Sequence, residues 1–347
     1  MAKILVTGGL GFIGSHTALE LLRNGNEVLI IDNLYNSSID VLHRLEAILG
    51  KKISCEIIDL QENMLVNDFF DRHQFIDAVI HFSAYKAVGE SVKEPLKYYR
   101  NNINSLLNIL DAMQNHGVKN IVFSSSCTVY GEPDIIPVTE KSPVKPASSP
   151  YGYTKQVCEN ILQDMVKSKN GNSVCEGMTD PLNVIALRYF NPIGADESGK
   201  IGELPQGEPA NLMPYITQTA MGIRKVLKVF GNDYNTPDGT CIRDYIHITD
   251  LAKAHIKALD RLGEMDGKFE IYNIGTGQGY SVLDIIRSFE RSTGIGINWE
   301  FAPRREGDIE KIYANPALAA EKLHWKAEKQ LDEMTLSAWN WEQQING

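Results

Sequence analysis

Cysteine is scarce in this chain, and its spacing is irregular. Cys55, Cys127, Cys158, Cys175 and Cys241 show neither the paired spacing of a zinc site nor that of a disulfide framework. We therefore expect reduced thiols and no metal site. The sequence disfavours a disulfide-stabilised extracellular domain and a zinc-binding module.

Long apolar runs and excess positive charge are also lacking. The short apolar segment after Lys3 is broken by Gly8 and Gly9, so we interpret it as a strand and not as a signal peptide or a membrane span. The 34 Lys and Arg residues face 44 Asp and Glu residues, which gives a formal net charge of −10. This balance disfavours a nucleic-acid or membrane partner, although it allows a local basic pocket. We expect a cytoplasmic globular protein.

Glycine, by contrast, is concentrated where a phosphate could bind. A β-rich run over residues 3–7 leads into Gly8, Gly11 and Gly14, and helical periodicity follows over Ser15–Arg23. Glycines at such positions allow a tight turn, a close approach to a pyrophosphate and the packing of a helix against a sheet. The pattern predicts a dinucleotide-binding loop.

Strands and helical patterns then alternate along the chain. Strand Glu27–Ile31 is followed by Asp32, whose carboxylate would accept hydrogen bonds from an adenosine ribose and repel a 2′-phosphate, which favours NAD over NADP. Further β-rich runs occupy Ile53–Ile58, Ala78–Phe82 and Asn120–Ser124. The alternation predicts an α/β fold with a Rossmann-type doubly wound parallel sheet and ligands at the carboxyl ends of its strands.

A tyrosine and a lysine form the candidate catalytic pair. Tyr151 follows Pro150 at a predicted helix start, and Lys155 comes one turn later on the same face. A lysine cation favours a phenolate, so we expect Lys155 to lower the pKa of Tyr151. Ser124 and Ser126, at the end of the preceding strand, could relay a proton. The group suggests oxidation of a carbinol, although the pair alone would also fit an exposed helix face.

The alternation loosens in the second half, which we interpret as a smaller α/β substrate-binding domain. We expect an NAD-binding domain over residues 1–188 and a substrate-binding domain over residues 189–347, with some segments able to return to the first. We also expect a helix over Pro214–Lys225 and another that Thr249 caps. The segment Ser168–Pro181, rich in Gly, Asn and Ser, is interpreted as a surface insertion.

Together these motifs resemble the extended short-chain dehydrogenase/reductase family, and within it the epimerases of nucleotide sugars. The resemblance runs nearly end to end and implies interconversion of UDP-galactose and UDP-glucose, by transient oxidation at C4 and return of the hydride to the opposite face. It also implies tightly held NAD. Besides the glycine loop, Asp32 and Tyr151–Lys155, it is carried by His81–Ser91, Ser124–Gly131, Arg188–Ala195, Asn211–Tyr215, Phe230–Tyr234, Arg243–His247 and Pro303–Asp308.

The resemblance also implies individual site residues. Tyr151 would be the base, Lys155 would hold the nicotinamide ribose, and Ser126 would contact the sugar hydroxyl. The implied cofactor-binding residues are Gly8, Gly11, Phe12, Ile13, Gly14, Asp32, Asn33, Asn36, Ser37, Asp59, Leu60, Phe82, Ser83, Ala84, Lys86, Asn101, Ser124, Tyr151, Lys155 and Phe190. The implied UDP-hexose-binding residues are Lys86, Ser126, Tyr151, Asn191, Asn211, Leu212, Phe230, Arg243, Arg305, Asp308 and Ile312.

Other functions on the same fold fit the residues of this chain less well. Sugar 4,6-dehydratases of this family carry an Asp-Glu acid pair where this chain has Cys127-Thr128, so elimination of water is disfavoured. A UDP-uronate epimerase or decarboxylase would need an extra cation for the sugar carboxylate, which the sequence does not identify. A non-catalytic dinucleotide-binding sensor would need neither the Tyr–Lys pair nor phosphate-binding arginines.

The resemblance leaves the acceptance of N-acetylated sugars open. Ile312 stands where related epimerases have a gate, at which a large tyrosine excludes these sugars and a small residue admits them. Isoleucine is intermediate, so activity on UDP-GlcNAc and UDP-GalNAc, alone or beside the hexoses, stays an alternative. The resemblance further implies a homodimer formed through a four-helix bundle, with Leu96–His116 and Tyr153–Lys167 as candidate helices.

Overall fold

The computed structural model describes residues 1–170, 181–305 and 307–347. Residues 171–180 of the segment interpreted as a surface insertion, with Cys175, lie outside the described residues. The strands are β1 (Lys3–Thr7), β2 (Glu27–Asp32), β3 (Ser54–Ile57), β4 (Ala78–His81), β5 (Asn120–Ser126), β6 (Asn183–Tyr189), β7 (Asn191–Ile193), β8 (Leu227–Phe230), β9 (Ile242–Arg243), β10 (Tyr245–His247), β11 (Phe269–Ile274), β12 (Tyr280–Ser281), β13 (Trp299–Ala302) and β14 (Lys311–Ile312). The helices are α1 (Phe12–Arg23), α2 (Ile39–Leu49), α3 (Asn63–Arg72), α4 (Val88–Lys93), α5 (Pro95–Asn115), α6 (Pro150–Asn170), α7 (Leu212–Ala220), α8 (Ile248–Leu262), α9 (Val282–Thr293), α10 (Ala317–Lys322) and α11 (Leu331–Asn346).

Seven strands form one parallel sheet in the order β11-β6-β5-β4-β1-β2-β3. Ile4 of β1 pairs with Val28 of β2 on one side and with Ala78 of β4 on the other. The chain order therefore reverses at β1, where open α/β sheets bind their ligands. The predicted doubly wound fold is confirmed, and the predicted strands differ only at their ends.

Helices cover both faces of this sheet, which explains why its strands are apolar on both sides. Along β1, Val6 faces the core shared with α1, α2 and α8, whereas Leu5 faces the core shared with α3, α5 and α6. Both side chains are fully buried. The two cores fix the carboxyl ends of the strands, from which the candidate site is built.

The second half of the chain adds smaller sheets and a separate core. Strands β7 and β10 pair with each other, as do β8 and β13, and β9 lies between β12 and β14. Helices α7, α9 and α11 enclose a core that includes Phe289 and Trp339. Strand β11 joins the large sheet, and α8 packs in the core of α1, so parts of the second half lie against the first. The boundary at residue 188 stays a prediction.

Two details of the predicted helices were wrong. Helix α7 ends at Ala220 and not at Lys225, because Gly222 takes a left-handed conformation (φ +77°) that turns the chain toward β8. Helix α8 is capped by His247 and not by Thr249. The imidazole Nδ1 of His247 accepts a hydrogen bond from the Thr249 amide at 3.1 Å, so a histidine does the capping that we assigned to a hydroxyl. In the described ranges, no helix has the length and apolarity required to span a bilayer.

Candidate active site

A cavity of about 830 Å³ lies at the carboxyl ends of the central strands. One end is formed by the glycine loop after β1, and the other by the loop over residues 202–211. Every residue that the resemblance implied for the cofactor lines this cavity, as do Ser126, Asn191 and Asn211 from the implied substrate set. Concave sites at such a switch point are the usual ligand sites of this fold.

The glycine loop has the shape that a pyrophosphate requires. Gly8 has φ +66°, and a Cβ on Gly14 would lie 2.2 Å from the carbonyl oxygen of Gly8, so neither position accepts a side chain. Gly11 caps α1 without a side-chain hydrogen bond, and Phe12–Gly14 line the cavity. The amide groups at the start of α1 are therefore placed to receive an anion.

Asp32 presents a fixed carboxylate beside this loop. Its side chain is buried and accepts hydrogen bonds from the amides of Leu10 and Leu34, each at 2.9 Å, and from the Ser37 hydroxyl at 2.6 Å. These contacts hold the carboxylate at the end of β2, where the ribose of a dinucleotide would lie. The residues present thus fit NAD.

The candidate catalytic residues come from two neighbouring elements. Ser126 ends β5, and Tyr151 and Lys155 lie in the first turns of α6. The Lys155 ammonium donates to the carbonyl oxygen of Ser124 at 2.5 Å. The Ser126 oxygen accepts from the amide and hydroxyl of Thr128 at 3.2 and 3.0 Å, which leaves its own proton for a further acceptor. The structure brings the predicted group together at the cavity wall.

The protonation of the pair differs from the prediction. Burial raises the pKa of Tyr151 to about 12, against the opposing effect of a hydrogen bond from Ser126. Burial lowers the pKa of Lys155 to about 8. The expected lowering of the Tyr151 pKa by Lys155 is therefore wrong in this structure, because the loss of solvent dominates and the ammonium is turned toward Ser124. Ionisation of the phenol needs additional positive charge nearby.

Buried asparagines tie the walls of the cavity together. Asn102 accepts a hydrogen bond from the Tyr85 amide at 2.8 Å and donates one to the Thr154 hydroxyl at 3.0 Å, so it joins the loop after β4 to α6. Asn101, which lines the cavity, donates to Asn102 at 2.9 Å. His81 is a buried strand residue, and burial lowers its pKa to about 3 and keeps it neutral.

Five implied substrate residues lie outside the lining of the cavity: Leu212, Phe230, Arg243, Arg305 and Asp308. We call these five the outer group. Arg305 contacts two of the others, because its guanidinium lies 5.0 Å from the centre of the Phe230 ring and its Nε is 3.0 Å from a carboxylate oxygen of Asp308. Arg243 donates instead to the backbone carbonyl of Ile242 at 2.9 Å.

Ile312 is also outside the lining. Its side chain is only 2% exposed and belongs to a small core with Tyr130 and Phe190. Phe190 of this core and Cys127, which packs against it, both line the cavity, so Ile312 would influence a sugar indirectly through its neighbours. Its role as a gate stays a prediction.

Comparison with known proteins agrees with this geometry. The model of a family described as the NAD dependent epimerase/dehydratase family matches residues 4–275. The chain belongs to this family. It is 48% identical to the UDP-glucose 4-epimerase of Bacillus subtilis over 99% of this chain and 98% of that protein.

Solved structures of epimerases extend this comparison. The UDP-glucose 4-epimerase of Bifidobacterium longum, solved with NAD⁺ and UDP, superposes with a TM-score of 0.93 at 45% identity, over 99% of this chain and 98% of the other. The UDP-Glc/GlcNAc 4-epimerase of Campylobacter jejuni superposes at 0.81 with 35% identity, over 99% and 100%. The resemblance inferred from the sequence is confirmed.

Sequence reasoning missed part of the cavity of this epimerase/dehydratase family member. The loop over residues 202–211 forms a wall that contains Glu203. Tyr35 and Tyr85 line the same cavity, and the centroids of their rings lie 4.4 Å apart. A signal for the loop was present, since a segment rich in Gly and Pro directly precedes Asn211. No cluster of His, Cys, Asp and Glu suited to a metal ion occurs in the part of the chain that the structure describes.

Proposed function

We propose that this chain is an NAD-dependent UDP-glucose 4-epimerase that interconverts UDP-galactose and UDP-glucose. The observation that carries the proposal is the convergence of Ser126, Tyr151 and Lys155 on the cavity that also contains the glycine loop and Asp32. A proton acceptor for an alcohol and a binding site for a hydride carrier then share one cavity. A non-catalytic sensor would not require this convergence.

The residues of the cavity suit reversible oxidation at C4 of the hexose. Tyr151 accepts the proton of the C4 hydroxyl, and the Ser126 hydroxyl donates a hydrogen bond to the sugar oxygen or the phenolate. The Lys155 ammonium stabilises the phenolate and holds the nicotinamide ribose. When bound, NAD⁺ supplies the hydride acceptor and a positive charge. Rotation of the 4-ketose in the cavity would present its opposite face for return of the hydride, and Tyr151 would give its proton back to the C4 oxygen.

The outer group supplies the anchor for UDP in this proposal. Arg243 and Arg305 have the planar donor geometry that suits a diphosphate, and Phe230 offers an apolar face for uracil. Asn191, Asn211 and Tyr151 line the cavity. With the nucleotide held by the outer group, the hexose would extend past the two asparagines toward Tyr151. A fixed anchor and a roomy cavity permit the sugar to turn.

The deciding experiment is an epimerisation assay of the purified protein without added NAD, on UDP-galactose and separately on UDP-GalNAc. We expect turnover of UDP-galactose with the cofactor that co-purifies. Comparable turnover of both substrates would establish dual specificity despite Ile312, and turnover of UDP-GalNAc alone would favour an N-acetylhexosamine epimerase. No turnover of either substrate by NAD-loaded protein would contradict the proposal.

We further propose that the protein acts in the cytoplasm as a homodimer, with an NAD-binding domain over residues 1–188 and a UDP-sugar domain over residues 189–347. Helices α5 and α6 pack together and leave Leu96, Leu107 and Tyr153 exposed at 64%, 39% and 50%. Pairing of two copies through these helices would bury these side chains. Sedimentation showing only monomer at micromolar concentration would contradict the dimer, and Leu107→Arg is expected to weaken it.

A further inference from the structure

Glu203 is an acid at the cavity wall that the mechanism above does not use. One carboxylate oxygen, Oε1, accepts hydrogen bonds from the Asn211 amide at 2.5 Å and from the Lys86 ammonium at 3.3 Å. The other oxygen, Oε2, is buried and has no hydrogen-bond partner. The side chain is 14% exposed. Glu203 thus contacts two residues assigned to the UDP-hexose, and its second carboxylate oxygen is buried without a hydrogen-bond partner.

The position of Glu203 is fixed by the C-terminal helix. The indole Nε1 of Trp341 donates to the carbonyl oxygen of Glu203 at 2.9 Å. The preceding Gly202 lies so close to this indole that a Cβ there would be 2.4 Å from its ring. Backbone and carboxylate are therefore both held, unlike those of a free surface loop.

The effect of Glu203 on a charged ligand depends on the other charged side chains that line the cavity. Among the residues that the structure describes, the basic side chains of the lining are Lys86 and Lys155. Lys155 donates to the Ser124 carbonyl, and Lys86 is paired with Glu203. Arg243 and Arg305 are assigned to the diphosphate. A sugar carboxylate entering the cavity would find no unpaired cation there and would meet the Glu203 anion.

We propose that Glu203 is a specificity-determining residue that admits neutral hexoses and excludes hexuronic acids. This inference rests on the proposed function. Hydroxyl groups of a neutral hexose can donate to the Glu203 carboxylate, whereas a sugar carboxylate cannot donate and is repelled. If the cofactor diphosphate draws Lys86 away, the carboxylate loses its counterion and the repulsion grows. A UDP-uronate enzyme would need an extra cation to bind the sugar carboxylate. At this wall of the cavity the chain has an acid, Glu203, instead.

The test compares Glu203→Gln with Glu208→Gln in the NAD-loaded protein. Glutamine keeps an acceptor for Lys86 and Asn211 but removes the charge. Glu208 lies on the same loop, with its side chain 76% exposed, and serves as the matched loss of one negative charge. The readouts are the inhibition constant of UDP-glucuronate against UDP-galactose epimerisation and its Kd by calorimetry.

We expect UDP-glucuronate to bind Glu203→Gln about tenfold more tightly than wild type, from removal of one charge at close range in a partly buried site. The control should change its affinity less than about twofold, since exposed charges act weakly. An unchanged affinity in Glu203→Gln overturns the inference. If that variant does not fold, equal Kd values of wild type for UDP-glucose and UDP-glucuronate overturn it as well.

The two proposals fail in different ways. Loss of the proposed function shows as absent turnover of UDP-galactose by the wild type. Failure of the Glu203 inference shows as normal turnover with no discrimination against the uronate, or with discrimination that the charge removal leaves unchanged.

Discussion

The cofactor end of the cavity and the outer group are built in contrasting ways. At the cofactor end the contacts come from backbone and short side chains: Asp32 is 6% exposed and held by three hydrogen bonds, and the backbone around Gly8 and Gly14 packs too closely to accept a side chain. The outer group relies on long side chains. The Arg305 side chain is 55% exposed and paired with Asp308 of its own loop.

This difference indicates that the cofactor and the nucleotide sugar are bound with different strength. The strand ends and the start of α1 hold their geometry without a ligand, so the cofactor meets a preorganised site. An exposed ion pair such as Arg305–Asp308 contributes little stability and is readily exchanged for a pair with a phosphate. We therefore expect tight, lasting retention of NAD and weaker, reversible binding of the nucleotide sugar.

The largest expected effect is a fall in kcat, and it distinguishes the catalytic step from the binding of NAD. In Tyr151→Phe the ring remains but the proton acceptor is lost, so we expect kcat to fall by roughly 10²–10⁴-fold. Bound NAD, measured after denaturation, should stay at the wild-type level because the cofactor end is held by other groups. Near-normal turnover would contradict the assignment of the base, and loss of NAD would contradict the separation of roles.

A smaller expected effect, a rise in KM, tests whether the outer group binds UDP. Arg305→Ala removes a guanidinium assigned to the diphosphate, so we expect KM for UDP-galactose to rise by about 10–100-fold, the equivalent of one charge-assisted contact. NAD content should not change. Arg304→Ala is the matched control, because the Arg304 guanidinium stacks on Tyr234 and pairs with Asp233. An equal rise of KM in both variants would argue against a specific anchor at Arg305.

The third prediction concerns stability in acid and not catalysis. Burial lowers the pKa of His16 and His255 to about 4, and of His81 and His247 to about 3. The unfolded chain takes up protons below about pH 6.5 whereas the native state does not, so stability is complete above that pH and falls as the pH drops toward 4.

Each of the four histidines can contribute up to about 1.4 kcal/mol per pH unit within this window. Urea unfolding of the NAD-loaded protein at pH 7, 6 and 5 should show a falling midpoint, with little change between pH 7 and 8 from these groups. His16, His81 and His255 belong to the helices and strands around the cofactor end, so NAD release should follow the same pH profile. Equal midpoints at pH 7 and 5 would contradict the prediction.

The cofactor end was the more predictable of the two regions. Most of its residues directly follow strands β1 to β6 in the sequence, and the ends of parallel strands must meet at one edge of a sheet. Every cofactor residue that the resemblance implied accordingly lies on the cavity. The outer group and Glu203 come from loops far apart in the chain, whose positions depend on how the second core packs.

Local sequence therefore determined the strand and helix order, the glycine loop, Asp32 and the placement of Tyr151 and Lys155 on one helix face. Tertiary structure alone decided the burial that raises the pKa of Tyr151, the capping of α8 by His247, and the contact of Glu203 with Lys86. The physical reason is the separation along the sequence over which each interaction acts. Periodicity and turn chemistry act over a few residues, whereas solvent exclusion and ion pairing depend on which distant segments come to lie against each other.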